Sequence, residues 1–127
     1  MSAIEAEQLR AAWDYIERNG FRTGSTGYIE PGDERAACAL GALAYTAKLD
    51  LTKAPEYTDQ FTWIAAETLP AARRLIQARQ SNFALSQATD ARGIAWAIFR
   101  YNDNSVKTLD RARQWFARAI ALAEADA

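Results

Sequence analysis

Apolar side chains recur along this chain mostly at three- and four-residue spacing, the period of helices buried on one face. Leu9, Ala12, Trp13 and Ile16 give one such stripe and predict a first helix to about Arg18. Ser2, with Glu5 three residues on, reads as its capping box. Asn19-Gly20 stops it, because glycine enters the left-handed conformation readily. Phe21 is placed to fold back on the last turn. Residues 22–33 hold three glycines and Pro31 and predict a loop, with at most a very short extended stretch at Tyr28-Ile29-Glu30. Asp33 is placed to cap a second helix, from about Glu34 to Leu49. Its middle, Ala36 to Tyr45, is apolar on every side, so it belongs at the centre of a bundle. Gly41 there costs about 0.5–1 kcal/mol against alanine, which close helix packing offsets.

Residues 50–57 form a connector with Pro55. A third helix is predicted over about Thr58 to Thr68, burying Phe61, Ile64, Ala65 and Thr68. Pro70 starts, or kinks into, a fourth to about Gln80, with Leu75 and Ile76 inward and Arg73, Arg74 and Arg79 outward. The stretch from Gln80 to Ala88 has no clear period. Thr89 or Asp90 is placed to cap a fifth helix ending near Tyr101, on which Ile94, Ala97, Ile98 and Tyr101 share a face that Trp96 and Phe99 extend. Asn102-Asp103-Asn104 reads as a turn. Asn104 or Ser105 then caps a last helix to about Ala125, with Val106, Leu109, Ala112, Phe116, Ala119, Ile120 and Ala123 as its core stripe. The expected fold is all-α: a single-domain bundle, residues 1–127, of five or six helices around a central Ala/Gly/Cys-rich helix.

Composition agrees with a folded domain. The 127 residues are 50% apolar and include four Trp, five Tyr and five Phe, enough for a core without a staple. Alanine, the strongest helix former, occurs 28 times. Arginine outnumbers lysine twelve to three, which a GC-rich coding genome explains more simply than selection for anion recognition. The net charge of −1 conceals an acidic front and a basic back. Residues 1–67 carry six basic and eleven acidic side chains, residues 68–127 nine and five. Two halves packing with complementary surfaces account for this more simply than a basic binding face does. The first residues lack the basic-then-apolar pattern of a signal peptide, and no apolar run approaches the ~20 residues of a membrane span. A cytoplasmic location is expected.

Candidate chemistry is sparse. With no histidine there is no Ser-His-Asp triad, no Cys-His pair and no imidazole metal ligand. The single cysteine, Cys38, excludes an internal disulfide and a cysteine-rich zinc site. Asp33 and Glu34 lie just before its helix, Cys38 is expected beyond the first turn, and no histidine can activate it, so a small buried apolar residue is the simpler reading. Gly24-Ser25-Thr26-Gly27 lacks the lysine and the immediate helix of a P-loop. Asn102-Asp103-Asn104-Ser105 lacks the ligands and interior glycine of an EF-hand. No metal or cofactor is expected. Lys107, Arg111, Arg113 and Arg118 sit on the last helix, Lys107, Arg111 and Arg118 near one face, and with Arg73, Arg74, Arg79 and Arg100 they offer an anion or nucleic-acid surface, but a pI of about 5.5 argues against a nucleic-acid protein. Of the tryptophans, Trp63 and Trp115 fall off their stripes and are expected to be the more exposed.

The order of features resembles a family. A helix ends at Gly20, a Gly-rich loop follows, then Cys38-Ala39-Leu40-Gly41-Ala42-Leu43, and later Tyr101-Asn102-Asp103 before a final helix. This is similar to small uncharacterised proteins of actinobacteria and their bacteriophages, a domain of unknown function. Members usually carry Trp where this chain has Tyr101. The resemblance implies no activity or cofactor. It implies an actinobacterial or phage source, hence action in a host cytoplasm if phage-encoded, and suggests binding of a host protein by class analogy. It also raises the question of whether Asn102-Asp103 reaches the Gly-rich loop or the start of the Cys38 helix.

The chain therefore reads as a non-enzymatic helical protein that binds a protein partner or itself, through a surface drawn from Trp63, Arg73, Arg74, Lys107, Arg111, Trp115 and Arg118. The alternative is a small-molecule or hydrolytic site around Cys38, Asn102, Asp103 and the 22–33 loop. Nucleic-acid binding by the C-terminal arginines is the weaker alternative.

Overall fold

The structure is a computed structural model that describes residues 4–23, 35–79 and 90–126. Among these residues the fold is all-α and bundle-like, with six α-helices and no strand. The helices are α1 (Ile4–Asn19), α2 (Ala39–Thr46), α3 (Gln60–Glu67), α4 (Leu69–Gln77), α5 (Ala91–Tyr101) and α6 (Leu109–Ala125). A short 3₁₀ turn at Leu51–Lys53 lies between α2 and α3, and a π-helical turn, Asn102–Val106, joins α5 to α6. α1 packs on α2, α6 and α4; α4 packs on α6 and α5; α3 packs chiefly on α5. The predicted caps at Ser2 and Asp33, the Gly24–Gly27 loop, the Tyr28–Glu30 stretch and the segment after Gln80 fall outside the described residues, apart from Arg22 and Thr23.

α1 follows its stripe, with Leu9, Ala12 and Ile16 buried and joined by Tyr15. Gly20 ends it at φ +105°, a conformation that L-residues avoid. The second helix is shorter than predicted and starts at Ala39 rather than near Glu34. Tertiary pairing overrides propensity there. Ala37 N–H donates to Gly20 O (3.1 Å) and Ala37 O accepts from Arg22 N–H (2.9 Å), forming a parallel bridge between Phe21 and Ala37. The Tyr15 hydroxyl donates to Arg35 O (2.7 Å) and accepts from Arg35 N–H (3.0 Å), fixing the approach. Every residue of α2 from Ala39 to Ala44 is buried, as its all-round apolarity requires.

α3 and α4 are separated by Thr68 and Pro70. Thr68 Oγ1 donates back to Ile64 O (2.7 Å), and the proline supplies no N–H to continue the helix. Asp90 caps α5 by accepting from Gly93 N–H (2.8 Å). The last helix is capped by Thr108, not by Asn104 or Ser105. The chain stays helical through the π turn, closed by Lys107 N–H on Asn102 O (3.3 Å), and reverses at Lys107, whose φ is +63°.

Two tryptophan expectations are corrected. Trp115 is 1% exposed and is among the largest fully buried side chains. α6 meets α1 on one side and α4 on another, so its apolar face is wider than a single stripe. Trp96, expected in the core, is instead 50% exposed.

Candidate functional site

Two arrangements gather the residues singled out by the sequence. The first is the junction of α2 with the π turn. Cys38 is the N-cap of α2, and its Sγ accepts from Gly41 N–H at 3.3 Å. Asn102, buried, accepts at Oδ1 from Ala39 N–H (3.1 Å) and donates from Nδ2 to Arg22 O (3.1 Å) and to Asp103 Oδ1 (3.0 Å). One side chain thus satisfies an orphan donor of α2, a loop carbonyl and a carboxylate. The helix start and the turn are 63 residues apart in sequence. Burial pushes the Cys38 thiol above its ordinary value; the Gly41 N–H pulls it down and the Asp103 charge adds to the rise. The crevice bounded by Cys38, Leu40, Ile98, Phe99 and Asn102 leaves no room for a water molecule. A raised thiol pKa works against the thiolate that nucleophilic chemistry needs, and among the described residues this crevice offers it no space. Its polar groups hold structure together.

The second arrangement is a cleft of about 560 Å³ where the end of α4, the π turn and α6 meet, lined by Arg79, Tyr101, Ser105, Arg111, Gln114 and Arg118 above Trp115 and Val106. Each guanidinium is placed by a neutral partner. Arg118 Nη1 donates to Ala78 O (2.6 Å), Arg111 Nη1 donates to Ser105 O (2.9 Å), and Arg79 lies over the Tyr101 ring, 5.2 Å from its centroid. Tyr101 stands edge-on to Trp115 at 5.0 Å, and Trp115 Nε1 donates to Leu75 O at 2.9 Å. Trp115 and Arg118 therefore take up carbonyls at the C-terminal end of α4, whose partial negative charge would otherwise face the cleft. Arg79 Nε is buried and has no hydrogen-bond partner among the described residues.

No carboxylate lines this cleft, and among the described residues none pairs with its three arginines. The carboxylates in ion pairs go elsewhere: Glu5 and Asp126 to Arg74, Glu124 to Arg10 and Asp110 to Arg113. Arg74, expected to point outward, is consequently a half-buried tie between the two ends of the chain. A family model described as a family of unknown function (DUF6197) matches residues 2–122, a span that includes both arrangements. The chain belongs to DUF6197. No curated protein and no solved structure matches it.

Of the surface residues expected from the DUF6197 sequence, Arg111 and Arg118 line the cleft and Trp115 forms its floor. Arg73 and Lys107 are exposed outside it, and Trp63 is half-buried. Sequence reasoning placed Arg111 and Arg118 on one helix face, seven residues apart. It grouped Arg79 with them in a broader arginine surface, but gave no means of singling it out or of adding Tyr101, because those come from two other elements. A second concavity, apolar and about 250 Å³, lies between Phe61, Ala95, Trp96 and Phe99 beside Asp59. Among the described residues no group of three or more His, Cys, Asp or Glu could hold a metal, and no helix is long and apolar enough to cross a membrane.

Proposed function

We propose that this protein acts without catalysis, by seating an anionic segment of a protein partner in the cleft of Arg79, Arg111 and Arg118. The observation that carries the reading is three guanidiniums on one concave surface, each held by a neutral group and, among the described residues, none offset by a carboxylate. A guanidinium presents five donors and stays charged at any physiological pH, so bonds to one carbonyl each leave most of that capacity facing outward. In a chain whose acidic residues slightly outnumber its basic ones, such a concentration of unpaired positive charge favours anions from outside. The buried thiol and the filled crevice at Cys38 support a binding role over a hydrolytic one. The alanine and arginine excess, with the Cys38 and Tyr101 motifs, supports an actinobacterial or phage setting and action in a bacterial cytoplasm.

An oligoglutamate peptide is the direct probe, with binding followed by tryptophan fluorescence at low salt. Binding should weaken steeply as salt rises. It should weaken at least tenfold in Arg111→Glu and stay unchanged in Arg113→Gln, whose side chain faces Trp13 and Asp110 instead. No binding by the native protein, or equal binding by Arg111→Glu, overturns the proposal. Light scattering separates a foreign segment from one on a sister chain: a concentration-dependent dimer abolished by Arg111→Glu assigns the segment to a second copy.

A further inference from the structure

We infer that the anion this cleft selects is a phosphate monoester; the inference rests on the reading of the cleft as an anion site. The inventory of its lining is one of donors. Three guanidiniums, the Gln114 amide and the Ser105 hydroxyl can all donate, and no carboxylate is present to repel a dianion. A single carboxylate carries one charge and two oxygens, which one guanidinium saturates by a bidentate pair. Two further guanidiniums would then remain uncompensated. A phosphoryl group carries ≈ −1.5 to −2 charge at neutral pH and offers three terminal oxygens, one for each arginine.

Three further features agree. Arg111 stands in the first turn of α6, a helix of 17 residues, at the positive end of its macrodipole. The opposing carbonyls of α4 are occupied by Trp115 Nε1 and Arg118 Nη1. Arg79 carries a buried Nε–H that has no acceptor among the described residues, a charged donor left for a ligand to match. The cleft, at about 560 Å³, is also much larger than a phosphate alone. It has room for the group together with the chain or small molecule that bears it.

The chain has no histidine, and among the described residues no carboxylate lines the cleft. Any pH response of binding between 5 and 8 therefore belongs to the ligand. A phosphate monoester gains its second charge near pH ~6; a carboxylate and a phosphodiester do not change in this range.

The test compares a phosphoserine peptide with the same peptide carrying glutamate, by calorimetry at pH 7.5 and pH 5. At pH 7.5 the phosphopeptide should bind at least tenfold more tightly, and that advantage should shrink at pH 5. Arg111→Gln should abolish the advantage, with circular dichroism unchanged, while Arg113→Gln keeps it. Inorganic phosphate serves as competitor. Displacement at concentrations similar to the peptide's dissociation constant assigns the source to small phosphorylated molecules; displacement only at far higher concentrations assigns it to a phosphorylated segment. Equal binding of the two peptides, or an advantage that does not change with pH, overturns the phosphate assignment and leaves the anion site standing. Failure of both peptides to bind overturns both.

Discussion

Asn102 illustrates how one polar side chain can govern a junction. It is 2% exposed, and its amide meets Ala39 N–H, Arg22 O and Asp103 at once. Asn102→Ala removes these partners while leaving the Ala39 and Arg22 backbone groups buried, and each unsatisfied group costs about 1–3 kcal/mol. Urea unfolding should show a loss of about 3 kcal/mol, against less than ~0.5 kcal/mol for the exposed Asn104→Ala. Cys38 makes a prediction in pH. The unfolded chain releases its thiol proton near pH ~8.5, whereas the buried folded thiol holds its proton to higher pH. The group's contribution is thus fully present below that pH and is lost as pH rises through the folded value. The native protein should resist a thiol reagent at pH 8 and react fully in urea, and Cys38→Ser should flatten the alkaline decline of stability. A native thiol that reacts at the unfolded rate contradicts this.

At the scale of elements, helix ends were decided by backbone pairing rather than by propensity. Alanine-rich residues 36–38 would extend α2 on intrinsic grounds, yet the bridge to Phe21 holds Ala37 extended. Gly20 makes that bridge possible, since its φ of +105° turns the chain from α1 toward Ala36. A Cβ at position 20 would lie 3.3 Å from Ala36 Cβ. Gly20→Ala should therefore cost about 1–2 kcal/mol, from strain and crowding together, read as a lower urea midpoint with unchanged slope. Stability equal to the native protein's would show that the chain relaxes around the turn. The π turn acts similarly at the other end of the core. It keeps Asn102 and Val106 buried on one side and places Ser105 on the rim of the cleft.

For the whole molecule, Arg74 joins what sequence separates. Its guanidinium pairs with Glu5 in α1 at 3.1 Å and with Asp126 beyond α6 at 2.6 Å. The Glu5 pair is partly shielded, with the two side chains 13% and 15% exposed, while Asp126 is 63% exposed. Removing one partner of a shielded pair costs more than losing a surface pair. Arg74→Met should lower stability by about 2 kcal/mol and Asp126→Asn by less than ~0.5 kcal/mol, both measured by urea unfolding. Because Arg74→Met removes both pairs, equal effects would mean that the Glu5 pair adds nothing to stability. The acidic front and basic back of the chain meet in the Glu5–Arg74 pair, but among the described residues the three cleft arginines lie outside that compensation.

Sequence by itself determined the class of fold, because period and composition act locally. Stripes such as Leu9-Ala12-Ile16 and Ala112-Phe116-Ala119 specify which face is buried, and the all-round apolarity of Ala39 to Ala44 specifies the centre. It also excluded imidazole chemistry, since that needs only a count. Only the tertiary structure decided which tryptophan is exposed, where α2 begins and which arginines share a cleft. Each depends on what another element places opposite: α4 and α5 around Trp115, Phe21 against Ala37, Arg79 and Tyr101 against Arg111 and Arg118. Charge along a chain carries a sign and a position but no partner, and whether it is neutralised is settled when distant segments meet.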